Sequence, residues 1–137
     1  MKVKLGDVCN IYSGGDKPEV VSAVPMEECN VPVYGNALEE EGLYGYTNFS
    51  VITEKAVTIS ARGSNCGASF YREEPYVPIV RLLSLIPKEN IKLTEKDMLF
   101  FSTEEYRNFY KIARNYQTRS LNIDKTSVFF FGKLKEV

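Results

Sequence analysis

A chain of 137 residues, of which 44% are hydrophobic and 26% are charged, can form one globular domain with a buried core. It contains no histidine, which excludes histidine-dependent triads and zinc sites, and it has no D/E-x-K spacing, phosphate loop or dinucleotide-binding glycine motif. With a formal net charge of −1, the chain lacks the excess of basic residues that most free-standing nucleic-acid binders have. Any basic surface must therefore be local or supplied by partners.

The composition indicates neither a membrane segment nor a metal site. No run of about 18 apolar residues occurs and the N-terminus has no signal-peptide pattern, so we expect a cytoplasmic protein. Cys9, Cys29 and Cys66 are odd in number and widely spaced, which predicts neither a zinc knuckle nor a disulfide framework. We expect no metal, no cofactor and no catalytic residue, although carboxylates remain available for chemistry.

The first thirty residues predict a short helix followed by irregular chain. Apolar side chains recur at helical spacing and predict one inward-packing turn; they are Leu5, Val8, Cys9 and Tyr12. Residues 13–18 contain two glycines and a proline, which predict a loop. Residues 19–30 are ambiguous, and a short helix around residues 26–28 is one interpretation of them.

The middle of the chain predicts strands. Residues 31–34 form a short strand whose proline favours the edge of a sheet, and residues 35–46 predict a surface loop. The alternating, β-branched residues 56–60 predict a second strand. A turn at 62–67 and a strand at 68–71 complete a predicted hairpin.

The last third predicts one more apolar strand and then two helices. Residues 79–86 are the most apolar strand candidate, and we expect Arg81 within it to pair internally. Helical spacing and a capping-box pattern predict helices over 94–101 and 102–113. A polar loop then leads to a final strand at 127–131.

The predicted elements place strands in the middle of the chain and helices near both ends. This order indicates an α+β fold, with a mixed, mostly antiparallel sheet in a single domain over residues 1–137. No internal repeat and no linker interrupts that domain.

Five segments, taken in order, resemble those of one protein family. They are KLGDVCNIYSGGDKP, VPVYGNALEEEGLYGYT, VTISARGSNCG, VPIVRLLSLIP and QTRSLNIDKTSVF. Their order and spacing are similar to those of target-recognition domains in the DNA-specificity subunits of type I restriction-modification enzymes. The similarity spans nearly the whole chain.

The resemblance implies a sequence-specific DNA recognition domain with DNA-reading loops on one face and no catalytic groups of its own. Such domains read one half of a split double-stranded DNA target and bring it to methyltransferase subunits and to restriction or translocase subunits. Specificity subunits normally contain two recognition domains separated by long helices. We therefore expect one recognition domain here, without the spacer helix and the second domain.

The tip of the predicted hairpin carries the first group of candidate DNA contacts, Arg62, Ser64 and Asn65. An arginine suits the two acceptors of guanine, and an asparagine suits the donor–acceptor pair of adenine. The alternative is that Asn65 satisfies a tight turn while Arg62 is simply solvated.

Other candidate contacts lie in three further segments. Lys17 suits a phosphate contact, or is an ordinary loop lysine. A second group can read base edges or lean on the sugar-phosphate backbone, namely Asn36, Tyr44 and Tyr46. In these same positions the tyrosines can instead cover the apolar floor of their own loop, and the adjacent glutamates 39–41 are expected to be a solvated run. The family resemblance implies a recognition-side loop for the third group, Gln117, Thr118 and Arg119.

Two alternatives to DNA recognition remain open from the residues alone. The chain could be an enzyme of unrecognised type that uses carboxylates, or Cys66 beside Gly67. It could also be a protein-interaction module or antagonist of the same fold that does not bind DNA, and the net charge of −1 is compatible with that function.

Overall fold

The computed structural model describes residues 2–4, 9–61, 64–89, 91–92, 99, 129–131 and 135–136, and strands account for most of their regular structure. In chain order the elements of these residues are β1 (Lys2–Lys4), β2 (Cys9–Ser13), β3 (Val31–Tyr34), the 3-10 helix η1 (Glu39–Gly42), β4 (Leu43–Thr47), β5 (Ala56–Ser60), β6 (Ser69–Arg72), β7 (Val77–Pro78), β8 (Leu82–Pro87), β9 (Ile91–Lys92), β10 (Phe129–Phe131) and β11 (Lys135–Glu136).

The larger sheet has the strand order β2-β8-β5-β6, and its neighbouring strands all run antiparallel. β5 lies inside this sheet, and all five of its residues are buried. Three of them are β-branched, and such side chains pack well on a pleated surface because their χ1 angle is already restricted. Ile59 stands opposite Leu83 of β8 on one side and Ser69 of β6 on the other.

The smaller sheet has the order β4-β3-β7, with β3 antiparallel to β4 and parallel to β7. Proline cannot donate a ladder hydrogen bond, so Pro32 in the central strand β3 needs an open side. It has one, because the pairing with β7 involves only Val33 and Tyr34. The expectation that β3 forms the edge of a sheet is therefore wrong for the strand, although the rule is obeyed at the proline itself.

Tyr76 connects the two sheets through the core. It directly precedes β7, its side chain is fully buried, and its hydroxyl donates to Ser84 Oγ of β8 at 2.7 Å. Its ring meets that of Tyr34 edge-on at 5.7 Å between centres, and burial raises the pKa of the Tyr76 phenol to about 12. Ile52, Ala56 and Ile86 pack around it, and full burial of an isoleucine side chain contributes about 1.5–3 kcal/mol.

Two pairs of short strands join distant parts of the chain. β1 pairs antiparallel with β10, and β9 pairs antiparallel with β11. Both pairings join segments that are far apart in sequence, so they bring the described end of the chain back to earlier residues. No helix among the described residues is long and apolar enough to cross a membrane.

The prediction of an α+β domain with helices near both ends is wrong. The described part of the chain is sheet-rich and contains no helix of seven residues or more. The predicted N-terminal helical turn overlaps strand β2, where Cys9 is buried while Asn10 and Tyr12 are exposed. Pairing with the buried strand β8 selects a period of two instead, with Cys9 and Ile11 on the less exposed face.

The interpretation of residues 26–28 as a short helix is also wrong. Met26 and Cys29 exchange backbone hydrogen bonds of 2.9 and 3.1 Å, which closes a tight turn instead. The helices predicted over 94–101 and 102–113 lie outside the described residues, apart from Leu99, which is helical and exposed.

Several strand predictions are confirmed. The strands at 31–34 and 56–60 have the predicted bounds, and the hairpin formed by β5 and β6 is present with its second strand one residue later than predicted. The strand predicted from residue 79 begins only at Leu82, because residues 79–81 form a turn between β7 and β8. A final strand is present at Phe129–Phe131.

Candidate functional site

The pairing of the strands brings several connecting loops to one place. β2 ends at Ser13, opposite Leu83 near the start of β8, and β5 ends at Ser60, opposite Leu82. β3 ends at Tyr34, opposite Pro78 at the end of β7. The loops that follow these strand ends therefore meet. We call them together the loop surface, and it comprises residues 14–18, 35–38, 64–67 and 79–81.

The turn 79–81 holds the loop surface together through its backbone. The amide of Val80 donates to the carbonyl of Gly15, and the amide of Ala61 donates to the carbonyl of Arg81, both at 3.0 Å. The turn itself is closed by the amide of Leu82, which donates to the carbonyl of Ile79 at 3.1 Å. Hydrogen bonds of this kind fix the relative positions of loops that come from different strands.

Gly14 permits the close approach between the first loop and this turn. Its amide donates to the carbonyl of Leu82 at 2.7 Å. A Cβ atom at Gly14 would lie 2.2 Å from the carbonyl oxygen of Ile79, which is backbone and cannot move aside alone. A glycine is required at this position, whereas a Cβ at the neighbouring Gly15 meets nothing within 4 Å.

Two predicted contact residues are joined directly. The side-chain amide of Asn65 donates to the backbone carbonyl of Asn36 at 3.0 Å, across 29 positions of sequence. This bond ties the β5–β6 turn to the loop after β3. Ser64, on the same turn, is exposed. The structure therefore brings Asn36, Ser64 and Asn65 into one part of the loop surface.

Lys17 and Tyr44 form a second joined pair. The Lys17 ammonium lies 4.8 Å from the centre of the Tyr44 ring, within the range of a cation–π contact. Both residues are exposed, Tyr44 to 48%. The contact orders a long lysine side chain next to the loop surface while leaving its charge in solvent. Tyr46 lies further along β4, is half-buried, and exchanges backbone hydrogen bonds with Ser22.

The other predicted contact residues remain predictions, because they lie outside the described residues. They are Arg62, Gln117, Thr118 and Arg119.

Arg72 anchors the segment that connects Asn36 to Tyr44. It is 3% exposed, and its guanidinium donates to Thr58 Oγ1 at 3.1 Å and to the backbone carbonyl of Glu41. The Glu41 carboxylate lies 3.8 Å from the same guanidinium. Burial lowers the pKa of Arg72, and the nearby Tyr34 and Glu41 oppose that shift.

The anchored segment has an unusual backbone. Glu40 and Glu41 have φ angles of 50° and 57°, and Gly42 follows at 88°. Left-handed conformations are uncommon for residues other than glycine and require support from their surroundings. The bond from Arg72 supplies such support. The three glutamates are exposed, as expected, but Glu41 also has this structural contact.

Arg81 is a candidate that the sequence prediction missed. We expected Arg81 to lie within an apolar strand and to pair internally, but it lies in the turn before β8 and is exposed. In the described part of the chain its guanidinium forms no ion pair with a carboxylate. The signal in the sequence was a lone arginine close to a proline, at the junction of two short apolar runs.

The loop surface can bind a ligand through hydrogen bonds and a few positive charges. It carries Lys17 and Arg81, together with the amide side chains of Asn36 and Asn65, and Asp16 lies among them. Within the described ranges no group of three or more potential metal ligands occurs. The geometry therefore suits recognition of a polar surface by shape and hydrogen bonding, with modest help from net charge.

Comparisons with known proteins agree with this geometry. The model of the type I restriction modification DNA specificity domain matches residues 1–128. Two type I specificity subunits of Mycoplasma pneumoniae are each 35% identical over 91 residues, which is 66% of this chain and 27% or 25% of theirs. The chain thus spans about a quarter of the length of these relatives.

Solved structures show the same fold. The S subunit of a type I restriction-modification system from M. genitalium matches with a TM-score of 0.67 and 18% identity, over 95% of this chain and 33% of that one. The HsdS subunit from Thermoanaerobacter tengcongensis matches with a TM-score of 0.61 and 18% identity, over 95% and 32%.

Proposed function

Because the chain belongs to the family of type I restriction modification DNA specificity domains, we propose that it recognises a specific double-stranded DNA sequence and performs no catalytic step itself. The loop surface is the part of the molecule that meets the DNA. Reading of sequence requires donors and acceptors presented to base edges in a groove, and positively charged groups near phosphates.

One observation carries this proposal: loops from both sheets are locked into a single surface by backbone hydrogen bonds and by the Asn65–Asn36 bond. Base reading depends on donors held at fixed positions, since each ordered side chain otherwise costs binding free energy. Asn65 uses one N–H for Asn36, and its second N–H and its side-chain oxygen match the acceptor–donor edge of adenine.

The contacts divide by chemistry. We propose that Lys17, held beside Tyr44, contacts a phosphate, which would position the domain without reading sequence. The proposed contacts to base edges come from Asn36, Ser64 and Asn65, and those to sugar or base surfaces come from Tyr44 and Tyr46. Arg62 and the segment with Gln117, Thr118 and Arg119 complete the proposed interface.

Partner subunits supply the positive charge that this chain lacks. With a net charge of −1, the chain gains little from counterion release, which dominates non-specific affinity for DNA. We propose that it acts in the cytoplasm together with methyltransferase subunits, and with restriction or translocase subunits. The Kd of the isolated chain for DNA is then in the non-specific range, ~10⁻⁴ to 10⁻⁶ M at physiological salt.

Selection from a pool of randomised duplexes, with the chain assembled with its methyltransferase subunits, tests the proposal. We expect one sequence pattern to be enriched over the input pool. Arg62→Ala and Arg119→Ala should each relax the preference at a base position while leaving the other positions unchanged. Absence of any enriched pattern with the wild-type assembly would contradict DNA sequence recognition by this chain.

A further inference from the structure

Val80 and Arg81 are two adjacent exposed residues of the loop surface. Val80 is 53% exposed and Arg81 is also exposed, although both lie between buried residues, Ile79 on one side and Leu82 on the other. A single exposed valine is ordinary on a protein surface, but Val80 stands beside an exposed arginine that forms no ion pair among the described residues.

The backbone under this pair is fixed on both sides. Val80 donates its amide to Gly15 of the first loop, and Arg81 accepts from the amide of Ala61 at the end of β5. The amide of Leu82 closes the turn onto Ile79. The turn is therefore narrow and held in place before any ligand arrives, so that only side-chain freedom is lost on binding.

The position of the turn is central. Its two backbone contacts reach the loop that carries Lys17 and the strand end that leads into the turn with Asn65. A DNA duplex seated on residues from both of these loops passes over the turn between them. Residues 80 and 81 are thus presented towards the middle of the proposed interface, where base edges rather than solvent are expected.

The chemistry of the pair favours a base edge over a phosphate. The arginine fork matches the O6 and N7 acceptors of guanine, and an apolar side chain beside it can contact the methyl group of a thymine. A phosphate contact would use the guanidinium but would leave Val80 against charged backbone. We propose that Arg81 reads a guanine in the DNA target and that Val80 contacts a thymine methyl beside it. This proposal rests on the proposed function of DNA recognition.

The test is selection from a randomised duplex pool with the chain in its methyltransferase assembly, comparing wild type with Arg81→Lys, Arg81→Ala and Val80→Ala. Arg81→Lys keeps the charge but removes the two-pronged donor. Lys55→Ala is the matched control, because Lys55 is exposed and lies before β5, at the opposite end of that strand from Ala61. Thermal unfolding of each variant checks that the fold is retained.

We expect both Arg81 variants to lose the preference for guanine at one position, by about 5- to 100-fold, while the other positions keep theirs. Val80→Ala should weaken the preference for thymine at an adjacent position, and Lys55→Ala should leave the whole pattern unchanged. The selection is then repeated with wild-type protein and duplexes that contain uracil, which lacks the 5-methyl group of thymine. The loss of preference at the adjacent position should match that of Val80→Ala.

Other outcomes overturn the proposal. If Arg81→Lys keeps every base preference and Arg81→Ala weakens all sequences alike, Arg81 contacts phosphate and reads no base. If the wild-type assembly enriches a pattern that all three variants retain, the turn takes no part in recognition. If the wild-type assembly enriches nothing, the proposed function itself fails, and this inference fails with it.

Discussion

The guanidinium carbon of Arg72 lies 3.6 Å from the centre of the Tyr34 ring, so that a buried charge from one sheet is stacked on an aromatic side chain of the other. The same guanidinium reaches the backbone of Glu41 in η1. One side chain thereby joins the two sheets and the segment that leads to Tyr44.

Arg72→Ala should therefore lower the free energy of unfolding by about 2–4 kcal/mol, because it removes buried packing, a cation–π contact and two hydrogen bonds. Urea denaturation measures this change. Glu41→Gln is the control: its carboxylate is 69% exposed and its backbone carbonyl is unaffected, so the expected loss is below about 1 kcal/mol. An equal loss in both variants would show that the ion pair, rather than the stacking, dominates.

Gly14→Ala should destabilise the protein by about 1–3 kcal/mol, since the added Cβ overlaps the backbone of Ile79 and must push the first loop away from the central turn. Binding to duplex DNA should weaken as well, because the loop carries Lys17. Thermal unfolding and fluorescence anisotropy measure the two effects. Gly15→Ala, which adds the same atom into open space, should stay within about 1 kcal/mol of wild type. Similar losses at both positions would contradict this explanation.

Stability should fall at alkaline pH through two buried acids. Burial raises the pKa of the Cys9 thiol to about 12 and that of the Tyr76 phenol to about 12. Their folded pKa values exceed the unfolded ones, so their contribution is complete below about pH 9 and is lost as the pH rises through 12. The free energy of unfolding should decline across this window. Cys9→Val should flatten the decline, and an unchanged slope would show that Cys9 does not contribute.

Lys17→Ala should weaken binding to all duplexes alike and lower the slope of log K against log salt by about one ion, because a phosphate contact releases counterions without reading sequence. Anisotropy titrations over a series of salt concentrations measure the slope. Tyr44→Leu removes the ring beneath the ammonium and should give a smaller effect in the same direction. A change in base preference on replacing Lys17 would assign it to a base instead.

The strands that local pattern specifies were predictable, and those that depend on distant partners were not. Val57, Thr58 and Ile59 favour a strand by themselves, so β5 was predicted with its observed bounds. Residues 43–46 contain glycine and two tyrosines and were predicted as part of the loop 35–46, whereas the structure has β4 at Leu43–Thr47. They form β4 only because β3 and Ser22 pair with them. Non-local pairing of this kind leaves no periodic signal in the strand itself.

The candidate site was predicted in part for a similar reason. Lys17, Asn36 and Asn65 stood in recognisable loops, and the structure joins Asn65 to Asn36 and Lys17 to Tyr44. Arg81 was assigned to a strand because its neighbours are apolar. Its exposure results from the turn that Gly15 and Ala61 hold in place, and neither contact can be inferred from residues near 81.

The pairing of β2 with β8 also affects how the protein is made. β2 is translated before its partner strand β8, and about half of this 137-residue chain separates the two strands, which pair from Ser13↔Leu83 to Cys9↔Pro87. At about 5–20 residues per second, the early strand waits several seconds without its neighbour. During synthesis its unpaired edge is open to other nascent chains or to chaperones. Slow translation of the segment between the two strands should therefore increase aggregation of this protein.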